Sequence, residues 1–305
     1  MIITHQHIDH LGLVSLVASH SGAQVAAIDV AVPYMENFSD EAQADDDYAS
    51  DIMLRNGIAP DVVAALQSVS RAFRAWGARV EVNRPLHDGE ELRLRDRTLH
   101  VHHRPGHSPT DTVFHDRERG ILIAADHLLG HISSNPLITR PRNGSGRPQA
   151  LVQYLDSLAA TREMEVDLVL PGHGDPITDH RALIEYLESL RQTQQMELAM
   201  VLPGHGDPIE DHRTLIDRRL ALHARRADKI LALVAERPRS AHELAQALWG
   251  NIAVTQAYLT LSEVLGHVDL LANDGRVQEV EREGVTVFEA RGPKQPARPA
   301  AQGTG

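Results

Sequence analysis

Cysteine is absent from this 305-residue chain, which excludes disulfides, thiolate zinc fingers and cysteine nucleophiles. Any metal must then be held by imidazole nitrogen and carboxylate oxygen. Lysine is nearly absent too, occurring only as Lys229 and Lys294. With a formal net charge of -12 and 4% aromatic residues, the chain has little with which to neutralise phosphates or stack unpaired bases. A nucleic-acid partner is therefore not expected. There is no run of 18 apolar residues, and the start resembles neither a signal peptide nor an Arg-rich transit peptide. The expectation is a soluble, cytoplasmic protein that acts on a small molecule and has no membrane partner.

What the chain does have is histidine, 19 in all. Residues 4–10 read Thr-His-Gln-His-Ile-Asp-His, three imidazoles and a carboxylate within six positions. Extended backbone puts residues two apart on one side, so His5 and His7 can grip one ion while Asp9 and His10 turn toward a second. Further on, Arg104-Pro105-Gly106-His107-Ser108 places a histidine after a strand and a turn. Asp126 follows the apolar run Ile121 to Ala125, where a carboxylate has no packing role. Leu-Pro-Gly-His-Gly then occurs twice, carrying His173 and His205.

That double occurrence belongs to a tandem repeat. Residues 154–185 align without gaps to 186–217, with 21 of 32 positions identical. Two copies fall short of a solenoid, so a local duplication is expected, each copy reading helix, strand, loop, helix. The two copies offer one ligand position twice. Copy one, whose Val-Asp-Leu-Val-Leu is the better strand, makes His173 the expected ligand. The alternative, in which residues 154–185 loop out and His205 ligates, stays open.

Elsewhere the pattern alternates in type. Leu11 to Ala18 has the spacing of a buried helix, and Gln24 to Val30 that of a strand. Pro33 to Trp76 reads as a helical insertion, with an amphipathic helix from Pro60 to Trp76. Asp45-Asp46-Asp47 within it reads as a solvated face or a helix start rather than a metal or substrate site. Strands are expected over Arg79 to Val82, Glu91 to Leu94, Thr98 to His103, Thr112 to His115 and Ile121 to Ala124. The Pro- and Gly-rich segment 131–149 is a long loop. His100, His102, His103, His115 and His127 lie beside the motifs and are expected at the surface or next to ligands, without ligating.

From residue 221 onward a helix, a second helix opened by a Ser240/Glu243 capping box, a third helix and a hairpin through Ala290 give winged-helix order. The third helix contains no Lys or Arg, which favours a packing or homodimerisation role over DNA binding. Residues 291–305 are Pro-, Gly- and Ala-rich, a composition of disorder.

The ordered set HxHxDH, PGHS, an aspartate after a strand, and PGHG resembles the metallo-β-lactamase superfamily over about residues 1–220. The resemblance implies an α+β fold, an αββα sandwich with a dinuclear site holding two divalent metal ions, usually zinc and sometimes iron or manganese. By motif, His5, His7 and His107 would hold the first metal, and Asp9, His10 and the PGHG histidine the second, with Asp126 bridging. Asp9 and Asp126 would orient a metal-bridging hydroxide and accept its proton. Asp126, where certain β-lactamases carry cysteine, is similar to the glyoxalase II and ribonuclease branches, and the winged-helix-like region resembles the β-lactamase-like protein 2 group. Asp111 and Thr112 depart from the glyoxalase pattern. The expected reaction is hydrolysis of a small ester, thioester or lactone, with a phosphodiesterase or endoribonuclease as the alternative. Because only Met1, Ile2 and Ile3 precede the motif, leading strands of the sandwich are expected to be missing, and an inactive truncated fragment is the third reading. The expected units are residues 1–220, 221–290 and a tail, 291–305.

Overall fold

The computed structural model describes residues 1–130, 134, 136–142, 146–184, 226–250 and 256–291. The second repeat copy with His205, most of the 291–305 tail and parts of the 131–149 loop lie outside the described residues. The chain begins with β1 (Ile2–Ile3), α1 (Ile8–Leu11), α2 (Val14–Ser21) and β2 (Ala26–Ile28). Then come α3 (Val32–Glu36), α4 (Phe38–Arg55), α5 (Pro60–Arg74) and β3 (Arg84–Leu86). The strands β4 (Glu91–Arg93), β5 (Thr98–His103), β6 (Thr112–Asp116) and β7 (Ile121–Ala125) follow, then α6 (Ala150–Arg162), β8 (Leu168–Pro171) and α7 (His180–Ile184).

β1, β2 and β3 form a parallel sheet in that order, and β4 to β8 form a five-stranded mixed sheet in sequence order. Within the larger sheet only the β7–β8 pair is parallel. Side-chain alternation along each strand then fills two layers. Ile3, Ala27, Ile28 and Leu86 meet Leu92, Leu99, Val101 and Phe114 between the sheets. On the other face of the large sheet Val113, Leu122, Ala124 and Val169 pack against Leu158 and Ile177. Each large side chain so buried is worth about 1.5–3 kcal/mol.

Two elements differ from the sequence reading. The expected helix over Leu11 to Ala18 is split into α1 and α2. Residues 79–82 pair in no sheet: the Val80 N–H donates to the Met35 carbonyl at 2.9 Å. Val80 and Val82 are buried in the inter-sheet core, so packing against α3 satisfies their alternation without a ladder. The strand is β3 instead, which carries Pro85 at an edge of its sheet, where the missing N–H costs no ladder bond.

After residue 226 come α8 (226–236), β9 (Arg239–Ser240), α9 (Ala241–Trp249), α10 (Ala257–Asn273) and the hairpin β10 (Val277–Arg282) and β11 (Val285–Ala290). The hairpin turns through Glu283 and Gly284, both at positive φ, as a two-residue turn matched to strand twist requires. Ser240 and Glu243 do form the reciprocal capping box. Ten residues of α10 are buried. Its Leu261, Val264 and Leu265 share one core with Ile52 and Met53 of α4, Val63 of α5 and Phe288 of β11. The helical insertion and the C-terminal elements are thus a single packing unit beside the sandwich. No helix among the described residues is long and apolar enough to cross a membrane.

Candidate metal centre

β1 pairs with β2 through Ile2 and Ile3, and residues 4–7 leave its C-terminal end as a loop that runs into α1. Two hydrogen bonds fix that loop to the 108–112 turn: the Gln6 N–H donates to Thr110 Oγ1 at 3.1 Å, and the Thr112 N–H to the Thr4 carbonyl at 3.0 Å. His5 and His7 therefore point inward, while Asp9 and His10 follow in the first turn of α1. His107 comes from the loop after β5. Asp111 closes this loop, its carboxylate accepting from the Ser108 N–H at 2.7 Å and the Ser108 hydroxyl at 2.6 Å. The Nδ1–H of His107 donates to the Ser134 carbonyl, which fixes the ring and leaves Nε2 facing the centre.

Asp126 follows β7, whose last residue, Ala125, has φ 45°. Non-glycine residues in this region carry strain on the order of 1–3 kcal/mol. Here it turns the next side chain out of the sheet, where the β7–β8 register shifts. His173 follows β8, and the Gly172 N–H donates to the Ala125 carbonyl at 2.8 Å.

The structure brings all seven sequence-derived residues together in two groups. In one, His5, His7 and His107 each offer an atom within 4.8 Å of the others; in the second, Asp9, His10, Asp126 and His173 do the same. Asp126 stands between them. Its Oδ1 is 3.4 Å from His10 Nε2, and its Oδ2 is 3.7 Å from His107 Nε2 and 3.5 Å from His173 Nε2. His173 Nε2 is also 3.4 Å from Asp9 Oδ2. Ligands about 2.0–2.2 Å from a shared tetrahedral ion lie about 3.3–3.6 Å from each other, so these separations suit cations. The buried atoms His5 Nε2, His10 Nε2 and Asp126 Oδ1 have no hydrogen-bond partner. Leaving such atoms unpaired costs roughly 1–3 kcal/mol each, a cost that a bound cation would remove.

Electrostatics favour the same use. Burial, reinforced by the neighbouring imidazoles, holds His5 far below the ordinary histidine range and His7 at about 4. Both rings are therefore neutral, the form that ligates. Burial opposes charge on His10, but the close Asp126 carboxylate, with Asp9 and Asp111 beyond it, raises its pKa. For Asp126 burial acts upward, and the pairing with His10 and the other histidines outweighs it, keeping the carboxylate ionised. Burial raises Asp111 to about 6.

Several contributors escaped the sequence reading. Tyr154, Ser157 and Thr161 lie along one face of α6 at helical spacing and tie two motif loops together. The Ser157 hydroxyl donates to the Pro105 carbonyl at 2.7 Å, Tyr154 OH to the His127 carbonyl at 3.1 Å, and Thr161 Oγ1 meets His127 Nε2 at 2.8 Å. Of the histidines expected at the surface or next to ligands, His115 and His127 are buried, and neither belongs to the two groups. Asp45 and Asp46 are not a solvated face: Asp45 pairs with Arg140 at 3.0 Å and Arg142 at 3.3 Å, and Asp46 with Arg74 at 3.2 Å. Their arginine partners are 28 to 97 positions away along the chain, beyond the reach of local pattern reading. Gln6, between two of the histidines, is 6% exposed.

A two-sheet α+β fold carrying a cluster of three histidines beside a His/Asp cluster in loops at its strand ends is that of a metal-dependent hydrolase. The metallo-beta-lactamase superfamily matches residues 1–205, and the chain belongs to it. The probable metallo-hydrolase YqjP of Bacillus subtilis (strain 168) is 23% identical over 288 residues, 94% of this chain and 79% of that protein. The acyl-coenzyme A thioesterase MBLAC2 of Homo sapiens is 33% identical over 112 residues, 35% of this chain and 38% of that protein. Among solved structures, a beta-lactamase domain protein from Burkholderia ambifaria superposes with a TM-score of 0.71 at 23% identity, covering 95% of this chain and 74% of that one.

Proposed function

We propose that the chain hydrolyses small thioesters or related esters and lactones at a dinuclear zinc centre. His5, His7 and His107 would hold one ion, Asp9, His10 and His173 the other, and Asp126 both. The observation that carries this reading is the position of Asp126, within 3.4–3.7 Å of His10, His107 and His173 and so turned toward both groups. When bound, two such cations supply a water of lowered pKa and polarise the carbonyl it attacks.

The chain's own residues do the rest. Burial keeps His5 and His7 neutral, so they are ready to ligate at neutral pH. Asp126 stays ionised and positions the nucleophile. Asp9, about half exposed, has its Oδ2 at the open side beside His173, where it can take up a proton and pass it to solvent. The acyl-coenzyme A thioesterase among the relatives supports the thioester class. The C-terminal elements have the order of a winged helix. Burial of ten α10 residues supports a packing role for them.

Metal content per chain, together with turnover of acyl thioesters, lactones and bis(4-nitrophenyl) phosphate, tests this reading. About two zinc ions per chain and chelator-sensitive thioester hydrolysis are expected. Less than one metal per chain with no turnover would overturn it, and preferential phosphodiester cleavage would replace it with the nuclease alternative.

A further inference from the structure

A cavity of about 430 Å³ opens beside the metal centre, with His7 and Gln6 at one end. That volume falls in the range of small-molecule sites, about 300–1,000 Å³. Its walls are apolar where α4, α5 and the segment 137–138 face it, through Ala49, Met53, Leu66, Val69, Leu137 and Ile138. The far side is closed by Tyr258 of α10, whose hydroxyl donates to the Ile138 carbonyl. The C-terminal elements therefore complete the cavity as well as packing behind it.

Charge narrows what can enter. Asp45, Asp46 and Arg140 line the cavity, but each is engaged: Arg140 with Glu41 and Asp45, Asp46 with Arg74 and the Ser70 hydroxyl. An anionic group would meet two carboxylates there and an arginine already paired to carboxylates. A neutral apolar group meets matching surface along Ala49, Met53, Leu66, Val69, Leu137 and Ile138. At the metal end Gln6 Oε1 is buried without a hydrogen-bond partner, an acceptor that a donor N–H or O–H near the carbonyl would satisfy. Along α5, Leu66 and Val69 are continued on the same face by Phe73 and, just beyond the helix, Trp76. These two are 50% and 70% exposed with rings 5.3 Å apart, so an apolar stripe leads from solvent to the cavity mouth.

We infer that this cavity is an acyl-binding pocket, taking the neutral, apolar acyl portion of the substrate and presenting its carbonyl to the His7 end of the metal centre. The phosphate-bearing or otherwise charged leaving group stays outside. This rests on the thioester-hydrolase reading above and gives it a substrate class: medium-length unbranched acyl esters and thioesters.

The test separates the two readings. Binding of octanamide, a neutral probe that needs no hydrolysis, is measured by calorimetry on the full chain and on two variants. Leu66→Trp fills a half-buried wall position, and Val69→Trp fills the rim from a site 53% exposed, where folding is not at stake. Octanamide is expected to bind the native chain and to bind each variant at least about tenfold more weakly, following the loss of buried methylene contacts, with metal content unchanged. No binding, or equal binding by all three proteins, overturns the pocket. In a thioester series from acetyl to octanoyl, kcat/KM should rise about fourfold per methylene until the cavity is filled. A flat series would also overturn it. Octanamide binding with no turnover of any acyl substrate would defeat the hydrolase reading and leave the pocket standing; rapid acetyl turnover without octanamide binding would do the reverse.

Discussion

Gly172 packs directly on Asp126: a β-carbon at residue 172 would lie 2.2 Å from Asp126 Oδ1 and 3.2 Å from His10 Cε1. Only glycine lets the β8 loop come this close, and the approach sets both the carboxylate and His173. Gly172→Ala should therefore leave the sandwich folded yet push Asp126 out of place. Metal affinity is expected to fall about 10–100-fold, as when groups that orient ligands are lost. Competition with a chromophoric chelator measures it, and native affinity in the variant would show that Asp126 is held by other contacts.

His173 stands in the cluster, with Nε2 3.5 Å from Asp126 Oδ2, while its repeat counterpart His205 lies outside the described residues. His173→Ala should lose about one metal per chain and most activity, and His205→Ala should lose neither. Elemental analysis of both purified variants decides this. Equal loss in the two would refute assignment of the position to the first copy.

The grouping of the candidate ligands was legible in the sequence because their motifs are local: each is a short loop at a strand end. Asp45 and Asp46 were misread for the opposite reason. Three acidic residues in a row on a helix look solvated until Arg140, Arg142 and Arg74 arrive from elsewhere in the chain. Gln6 and the cavity were invisible for the same cause, since their walls come from α4, α5, the segment 137–140 and α10, which only the fold brings together. Val80 and Val82 show that alternation reports which side is buried, not whether a strand pairs.

His102 gives the metal-free protein a defined acid sensitivity. Burial, then the charge of Arg104, lowers its pKa to about 4, and its Nε2 is buried without a partner. Above pH about 6.5 the ring is neutral in both folded and unfolded chains. As pH falls from there to about 4 the unfolded chain takes up a proton that the folded one refuses, so stability drops. The side chain is partly exposed, which reduces the effect to about 1–2 kcal/mol. Urea unfolding in chelator at pH 7.5 and 4.5 should show His102→Gln losing less stability than the native chain. An identical loss would assign the acid sensitivity to other groups.

Arg147 joins the loop ahead of α6 to the C-terminal elements through a bidentate pair with Asp269, at 2.7 and 2.5 Å. Asp269 is 4% exposed, and burial raises its pKa despite the arginine. Arg147→Ala strands that carboxylate in the interior, which should cost about 3–5 kcal/mol in urea unfolding. Because a stranded Asp269 binds its proton more tightly folded than unfolded, the deficit should shrink as pH falls from 8 to 5. Arg147→Met with Asp269→Leu removes both charges and should recover most of the stability, since apolar replacement of a buried ion pair is often neutral or better. A double variant as unstable as Arg147→Ala would mean that the pair contributes through its directed hydrogen bonds, and the C-terminal elements would then depend on that geometry for their place beside the cavity.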